Sequence, residues 1–336
     1  MARTLRMAMV GCGAIARVHL PAIRAGAPRI EITAAIDPDA TRAAALARDA
    51  GAQPFSSLEE GLAGADFDAV DLMLPHHLHE AVTVRAFAAG KHVLLEKPLA
   101  TTLDACERIL AAWRRAGTVF LVAENTQYWP EVLTAKQLLD AGTIGDVVTA
   151  RGSFAIPPLP AYYGGERPWR CDNTVAGGGI ALDTGSHWIR PLRMLLGEVD
   201  EVVGVLARPY AAMQGESLVR ALLRFRSGPV AVLDGIMKDG PFVPEPTFRI
   251  TGMHGEITIE RPGRVVLWNT EHPEGTQVGE VGGYQRSYPG EFADFAAAIL
   301  DGTTPAAGPE AAIGELRVAL ALYRSAETRR WEQVWA

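Results

Sequence analysis

At 336 residues, 48% hydrophobic and 21% charged, the chain has the composition of a globular protein and a length suited to two domains. Its net formal charge of −7, without a clustered basic run, excludes a nucleic-acid-binding surface, and no apolar run approaches the length of a membrane span. Cys12, Cys106 and Cys171 are scattered with no C-x-x-C spacing, which excludes a disulfide framework or structural zinc site and fits a reducing compartment. Arg3 and Arg6 precede an apolar stretch that stops at Val10, too short for the core of a signal peptide, so the expected location is the cytoplasm.

In chain order, the first 120 residues alternate strand and helix patterns. The run 5–10 (LRMAMV) ends at a glycine and reads as a buried parallel strand. A helix at 14–25 follows, then a strand at 30–36, an alanine-rich helix at 38–50, a short element at 53–55 and a helix near 57–63. Strand 69–74, helix 78–89, strand 91–95, helix 102–116 and strand 118–122 complete the series, with Thr101 and Asp104 spaced as a capping box. Repeated strand–helix units demand parallel strands with right-handed crossovers, so this part is α/β, a doubly wound parallel sheet.

Beyond residue 124 the rhythm changes. A helix at 131–140 and a long strand at 146–156 lead into a Pro-, Tyr- and Gly-rich loop at 157–178 and a helix at about 180–196. Runs at 217–226, 229–237, 246–251, 255–260 and 264–268 are separated by turns, the pattern of an antiparallel sheet. Helical patterns return at 290–301 and 309–328. The expected domains are 1–124 and 125–336, the second an α+β domain whose last helices are free to pack back on the first.

GCGAIA at 11–16 fits G-x-G-x-x-G/A between a strand and a helix. Gly11 permits the tight turn, Gly13 lets the backbone approach a pyrophosphate, and Ala16 allows close helix–strand packing. Ala14 and Ile15 lie in the same turn, at the positive end of the helix that faces the phosphates. Alone, such a motif reads equally well as a glycine turn. Asp37 tips the balance, ending the second strand 21 residues after Ala16, where a carboxylate accepts hydrogen bonds from the adenosine ribose. The first domain is therefore expected to be a Rossmann unit binding NAD rather than NADP, because the carboxylate repels a 2′-phosphate. Arg42, five residues on, either softens that preference or is a solvated helix residue.

The segment LPHHLHEAVTVRAFAAGKHVLLEKPLA (74–100) brings two strand ends to the carboxyl edge of the sheet, where open α/β folds bind ligands. Leu74, Pro75, His76, His79, Glu96 and Lys97 are thereby candidates for cofactor contact. Lys97, just past a buried apolar strand, can hold a substrate hydroxyl or exchange protons; the competing reading is a surface cap. In GGGIALDTGSHWIRPLRMLLGE (177–198), Asp183 and His187 stand at i and i+4, which predicts one helical face. An imidazole at that spacing from a carboxylate suits a general base for alcohol oxidation, with a solvated Asp–His pair as the alternative. The glycines 177–179 are expected to permit close backbone approach to a ligand.

Taken together, GCGAIA, PHHLH, AGKHVLLEKPLA, GGGIALDTGSH and EFADFAAAILDGTTPAAGPE (291–310) resemble the Gfo/Idh/MocA family over essentially the whole chain. This is the glucose–fructose oxidoreductase and inositol dehydrogenase group. The resemblance implies a Rossmann domain plus an α+β domain whose open sheet covers the cofactor and forms homodimer or homotetramer contacts. It maps the family's catalytic lysine onto Lys97, at a Lys97–Pro98 bond often cis, and its aspartate and histidine onto Asp183 and His187. It further implies oxidation of a secondary alcohol of a sugar or cyclic polyol, with the roles of His187 and Lys97 exchangeable. The chain departs from the family's Thr-Pro-Asn at Leu74-Pro75-His76, so His76 either alters contacts near the nicotinamide ribose or replaces an amide with another polar ring.

His76, His77 and His79 lack a converging Cys or carboxylate set, so no metal is expected. Tyr162, Tyr163, Trp169 and Arg170 suit a polyhydroxylated ring or a carboxylate, and packing against the other domain is the equal alternative for the aromatics. Asn125 and Tyr128 lie where the family's substrate and cofactor meet. Asp71, inside a strand, receives no role. Three rivals stand beside the polyol reading: a cis-dihydrodiol dehydrogenase of the same family, a redox-neutral epimerase or glycosidase with retained NAD, and a non-enzymatic dinucleotide sensor.

Overall fold

The computed structural model describes residues 3–164, 166 and 168–336. The chain forms two compact units: residues up to Glu124 with Tyr288–Ile313, and Asn125–Ser287 with Gly314–Ala336.

In the first unit, β1 (Leu5–Val10), α1 (Ala16–Gly26), β2 (Ile30–Ile36), α2 (Ala40–Ala50), β3 (Gln53–Phe55) and α3 (Leu58–Gly64) form one half. β4 (Ala69–Leu72), α4 (His79–Ala88), β5 (His92–Glu96), α5 (Leu103–Ala116) and β6 (Phe120–Ala123) form the other. The six strands run parallel in the order β3-β2-β1-β4-β5-β6. The order reverses between β1 and β4, and such a switch point opens a crevice at the carboxyl ends of the strands. β4 is buried along its whole length, as helices on both faces require of a central parallel strand. Asp39, Ser57 and Thr102 cap α2, α3 and α5 through their side chains. The last cap falls at Thr102 rather than at Thr101, because Thr102 is the extended residue whose hydroxyl reaches the Ala105 N–H.

The second unit contains α6 (Pro130–Asp140), β7 (Val147–Ile156), α7 (Pro160–Tyr163), α8 (Asn173–Ala176), α9 (Ser186–Leu196) and β8 (Val199–Ala207). β9 (Leu218–Phe225), β10 (Val230–Met237), β11 (Phe248–Gly252), β12 (Gly255–Glu260), β13 (Arg264–Asn269) and β14 (Thr276–Val278) follow. α10 (Tyr288–Leu300) returns to the first unit, α11 (Ala311–Thr328) runs across the division, and β15 (Glu332–Gln333) closes the second. The sheet order is β14-β13-β12-β11-β7-β10-β9-β8-β15. Every pair is antiparallel except β7 with β10, whose parallel pairing uses the long crossover through α9. One face packs Phe154, Val219, Leu223, Leu233 and Phe248 against Ile189 and Leu192 of α9. The other face is more open, and buried and exposed residues alternate along β9.

In the C-terminal third, one expected freedom is used and two short strands are new. The segment 288–313 belongs to the first unit, where Tyr288, Phe292, Phe295 and Ala296 join the core of Met7, Met9, Leu20 and Ile23. Gly26 lies so close to Pro289 that a Cβ would overlap it. β14 and β15, of three and two residues, are too short to carry an alternating pattern.

Candidate active site

Gly11 has φ +94° and donates its N–H to the Ile36 carbonyl at 2.8 Å; a Cβ there would overlap the Met73 carbonyl. Gly13 differs, because a Cβ would meet nothing within 4 Å. The protein's own packing does not demand that glycine, and the open space suits a pyrophosphate. Beyond Ala14 and Ile15, α1 begins at fully buried Ala16 with no side-chain cap and no acidic residue in its first turn. Its positive end thus keeps its attraction for phosphate.

Asp37 is buried at the end of β2. Its carboxylate accepts from the Cys12 and Asp39 N–H groups, each at 2.9 Å, and from the Arg42 guanidinium at 2.8 Å. Burial opposes its ionisation, but Arg42 and the two N–H groups outweigh burial and hold the carboxyl below its usual range. Arg42 is therefore the ion-pair partner of Asp37, not merely a solvated helix residue. Burial and the same carboxylate push the Cys12 thiol up to about 12. An open glycine turn, an uncapped helix end and a strand-end carboxylate together fit NAD.

At the neighbouring strand ends, Leu74 and Pro75 lead into buried His76, and the Lys97–Pro98 bond is cis. His79 was a cofactor candidate, but it is fully buried, with Nδ1 2.7 Å from the Pro98 carbonyl and Nε2 3.0 Å from the Leu74 carbonyl. Both ring nitrogens face backbone carbonyls of the two strand-end loops, the neutral ring donating to one of them, and neither nitrogen is turned to a ligand. Burial lowers its pKa. Glu96 is also turned inward, its carboxylate 3.1 Å from His19 Nε2 and 14% exposed. His19 Nδ1 lies 2.9 Å from Asp71, which gives that strand aspartate its partner. Lys97 follows Glu96 directly.

In the second unit, α9 starts at Ser186, and Asp183 lies in the preceding turn at 180–185. The expected shared helical face is thus replaced by a turn leading into a helix, because the Ser186 hydroxyl donates to the Asp183 carbonyl at 3.0 Å. The Asp183 carboxylate accepts from Arg170 Nε at 3.1 Å. The Arg170 guanidinium stacks 4.1 Å from the Trp169 ring and 5.1 Å from Tyr162. His187 occupies the first turn of α9, buried, with Nε2 3.3 Å from the Tyr284 hydroxyl and the rings edge to face.

Tyr284 was missed in the sequence. It sits 97 residues from His187 in a short helical turn before α10, within GGYQRSYPG, where its signal is an aromatic residue preceded by two glycines. Asn125 proves to support it. Its side chain is buried and donates to Ser287 Oγ at 2.7 Å, and Ser287 in turn donates to the Tyr284 carbonyl at 2.6 Å. Asn125 thus has a local structural partner where a substrate contact was expected. Tyr128 is half-buried on the same short helical turn.

Residues 5–124 match the model of an oxidoreductase family with an NAD-binding Rossmann fold, and residues 132–258 match the GFO/IDH/MocA C-terminal domain. The chain belongs to the GFO/IDH/MocA oxidoreductase family. It is an oxidoreductase that uses NAD. It is similar to a dTDP-3,4-didehydro-2,6-dideoxy-alpha-D-glucose 3-reductase from Actinomadura kijaniata, 35% identical over 69% of this chain and 68% of the relative. A 1,5-anhydro-D-fructose reductase from Ensifer adhaerens is 30% identical over 96% of each chain. Among solved structures, an oxidoreductase from Thermotoga maritima is 28% identical with a TM-score of 0.88 over 99% of each chain. Among the described residues no helix is long and apolar enough to cross a membrane.

Proposed function

We propose that the protein oxidises a secondary alcohol of a sugar, glycoside or cyclic polyol, or reduces the matching ketone. The observation that carries this reading is Lys97, held at the carboxyl end of β5 in the unit that also holds the Gly11–Asp37 cradle. Relatives that reduce a dideoxy sugar nucleotide and an anhydro sugar support the substrate class.

NAD supplies the hydride acceptor when bound, held by Gly11, Gly13, the α1 N-terminus and Asp37. His187 takes the hydroxyl proton as general base, and Asp183 orients it. Lys97 binds the reacting oxygen and passes protons on; its role and that of His187 are interchangeable in this scheme. Trp169 and Tyr162 offer flat faces to a ring, and Arg170 and Tyr128 offer donors to hydroxyls. Arg170 is already balanced by Asp183, which weakens the rival reading of a carboxylated dihydrodiol. We also propose that the open face of the second sheet, where Val205 is 65% exposed, joins copies of the chain into a homodimer or homotetramer.

The test is a panel of monosaccharides, glycosides and inositols beside cis-dihydrodiols, lactate and 2-propanol, followed by reduced-nicotinamide absorbance. Turnover is expected with a polyol and not with simple alcohols, which leave buried polar groups unpaired at about 1–3 kcal/mol each. Activity confined to dihydrodiols would overturn the substrate class. The redox-neutral reading predicts product without net change in absorbance.

A further inference from the structure

Within the glycine run 177–179, Gly178 and Gly179 have an occupant in the protein itself. A Cβ on Gly178 would overlap the Tyr323 hydroxyl, and one on Gly179 would overlap the backbone and carboxyl of Glu216. A Cβ on Gly215 would in turn come within 2.6 Å of the Gly179 backbone. Two segments therefore meet back to back where only glycine fits, and the expectation that 178 and 179 are bare for a ligand gives way to internal packing.

Glu216, just before β9, is buried at the centre of this contact. Its Oε1 accepts from the Ala181 N–H at 2.8 Å and from the Tyr323 hydroxyl at 3.1 Å. Its Oε2 accepts from the Gly179 N–H at 3.1 Å, and its backbone carbonyl accepts from the Ile180 N–H at 2.9 Å. Three consecutive N–H groups of the turn thus end on one residue. The turn passes that placement on: the Asp183 N–H donates to the Gly179 carbonyl at 3.1 Å, and the Gly185 N–H donates to that of Ile180 at 2.6 Å. Gly185 then accepts from the Trp188 and Ile189 N–H groups that open α9 around His187. A buried carboxylate is costly unless its lone pairs are filled, and here donors from both the turn and α11 fill them.

We propose that Glu216, braced by Tyr323, is the positioning residue of the Asp183–His187 segment, setting the turn that carries Asp183 and leads into α9 at His187. The proposal rests on the reading of Asp183 and His187 as the orienting and proton-accepting groups. It accounts for two glycines and a buried acid that no step of the chemistry uses directly.

The test compares Glu216→Ala, Glu216→Gln and Tyr323→Phe with the wild type and His187→Ala, using the polyol of highest turnover in the panel. Thermal unfolding and NAD titration accompany kcat, KM and the pH profile of kcat/KM. Glu216→Ala should lower kcat about 10- to 100-fold, the scale of a misplacement of about 1 Å, and displace the acid limb of the pH profile while NAD affinity holds. Glu216→Gln, which keeps one acceptor, should fall between Glu216→Ala and the wild type, and Tyr323→Phe should lose least. If Glu216→Ala does not fold, the two conservative variants carry the same comparison. Wild-type kcat and an unmoved pH profile in these variants, beside a lowered Tm, would overturn the inference and leave a purely structural role. Full turnover by His187→Ala would instead remove the catalytic reading, and the inference with it.

Discussion

Asp37 joins the glycine turn, the start of α2 and Arg42 through one carboxylate. Replacing it with Ala is expected to weaken NAD binding about tenfold or more, since a hydrogen bond to a charged group contributes roughly 1.5–3 kcal/mol. NADP should lose less, because Arg42 is released from its partner. Titration of both cofactors checks this, and tighter NADP binding by the wild type would contradict it. Cys12, with its thiol pushed up to about 12, should resist alkylation near pH 8 in the folded protein, as counted by mass spectrometry. The glycine turn and Asp37 were legible because their spacing is local. The function of His79 was not: a histidine beside two strand ends reads the same whether it faces a ligand or links Leu74 to Pro98. The glycines at 178 and 179 misled for a similar reason, since Glu216 and Tyr323 lie far along the chain.

At the scale of elements, α10 places Glu291 in the core of the first unit, fully buried, with neither carboxylate oxygen hydrogen-bonded. His19 from α1, Asp71 from β4, Glu96 from β5 and Glu124 after β6 are the charged groups that act on it. Burial first, then the neighbouring carboxylates, hold the Glu291 carboxyl well above its ordinary value of 4.5, and His19 only partly offsets them. Burial alone would lower His19, but Asp71 and Glu96 raise it well above its ordinary 6.5. Both groups bind a proton more tightly folded than unfolded. Their contribution to stability is complete below those ordinary values and is lost as pH rises through the raised folded ones. Glu291→Gln, which cannot ionise, should therefore unfold at an increasingly higher temperature than the wild type between about pH 5 and about pH 8. Parallel Tm curves across that range would contradict the assignment. Amphipathic periodicity announced α10 as a helix free to pack back on the first unit, yet could not show that its acid lies in the field of an imidazole 272 residues earlier in the chain.

For the molecule as a whole, the alternation of strand and helix patterns was enough to read a parallel doubly wound sheet, because each βα unit restricts the next. The second sheet was legible as turn-separated strands. Its one parallel pair was not, since alternation along a strand carries no direction. The return of 288–313 to the first unit agrees with the freedom left to the last helices, but its limits were hidden, as a contiguous boundary is the simplest reading of composition. Lys97 belongs to the first unit and Asp183 and His187 to the second, and the proposed chemistry stands on the separate contribution of each. The most direct test is the steady-state oxidation of the preferred polyol by Lys97→Ala and His187→Ala, with NAD binding measured in parallel. Each variant should lose roughly 10²–10⁴ in kcat while its affinity for NAD holds; wild-type turnover by either, in an assay limited by the chemical step, would contradict the account.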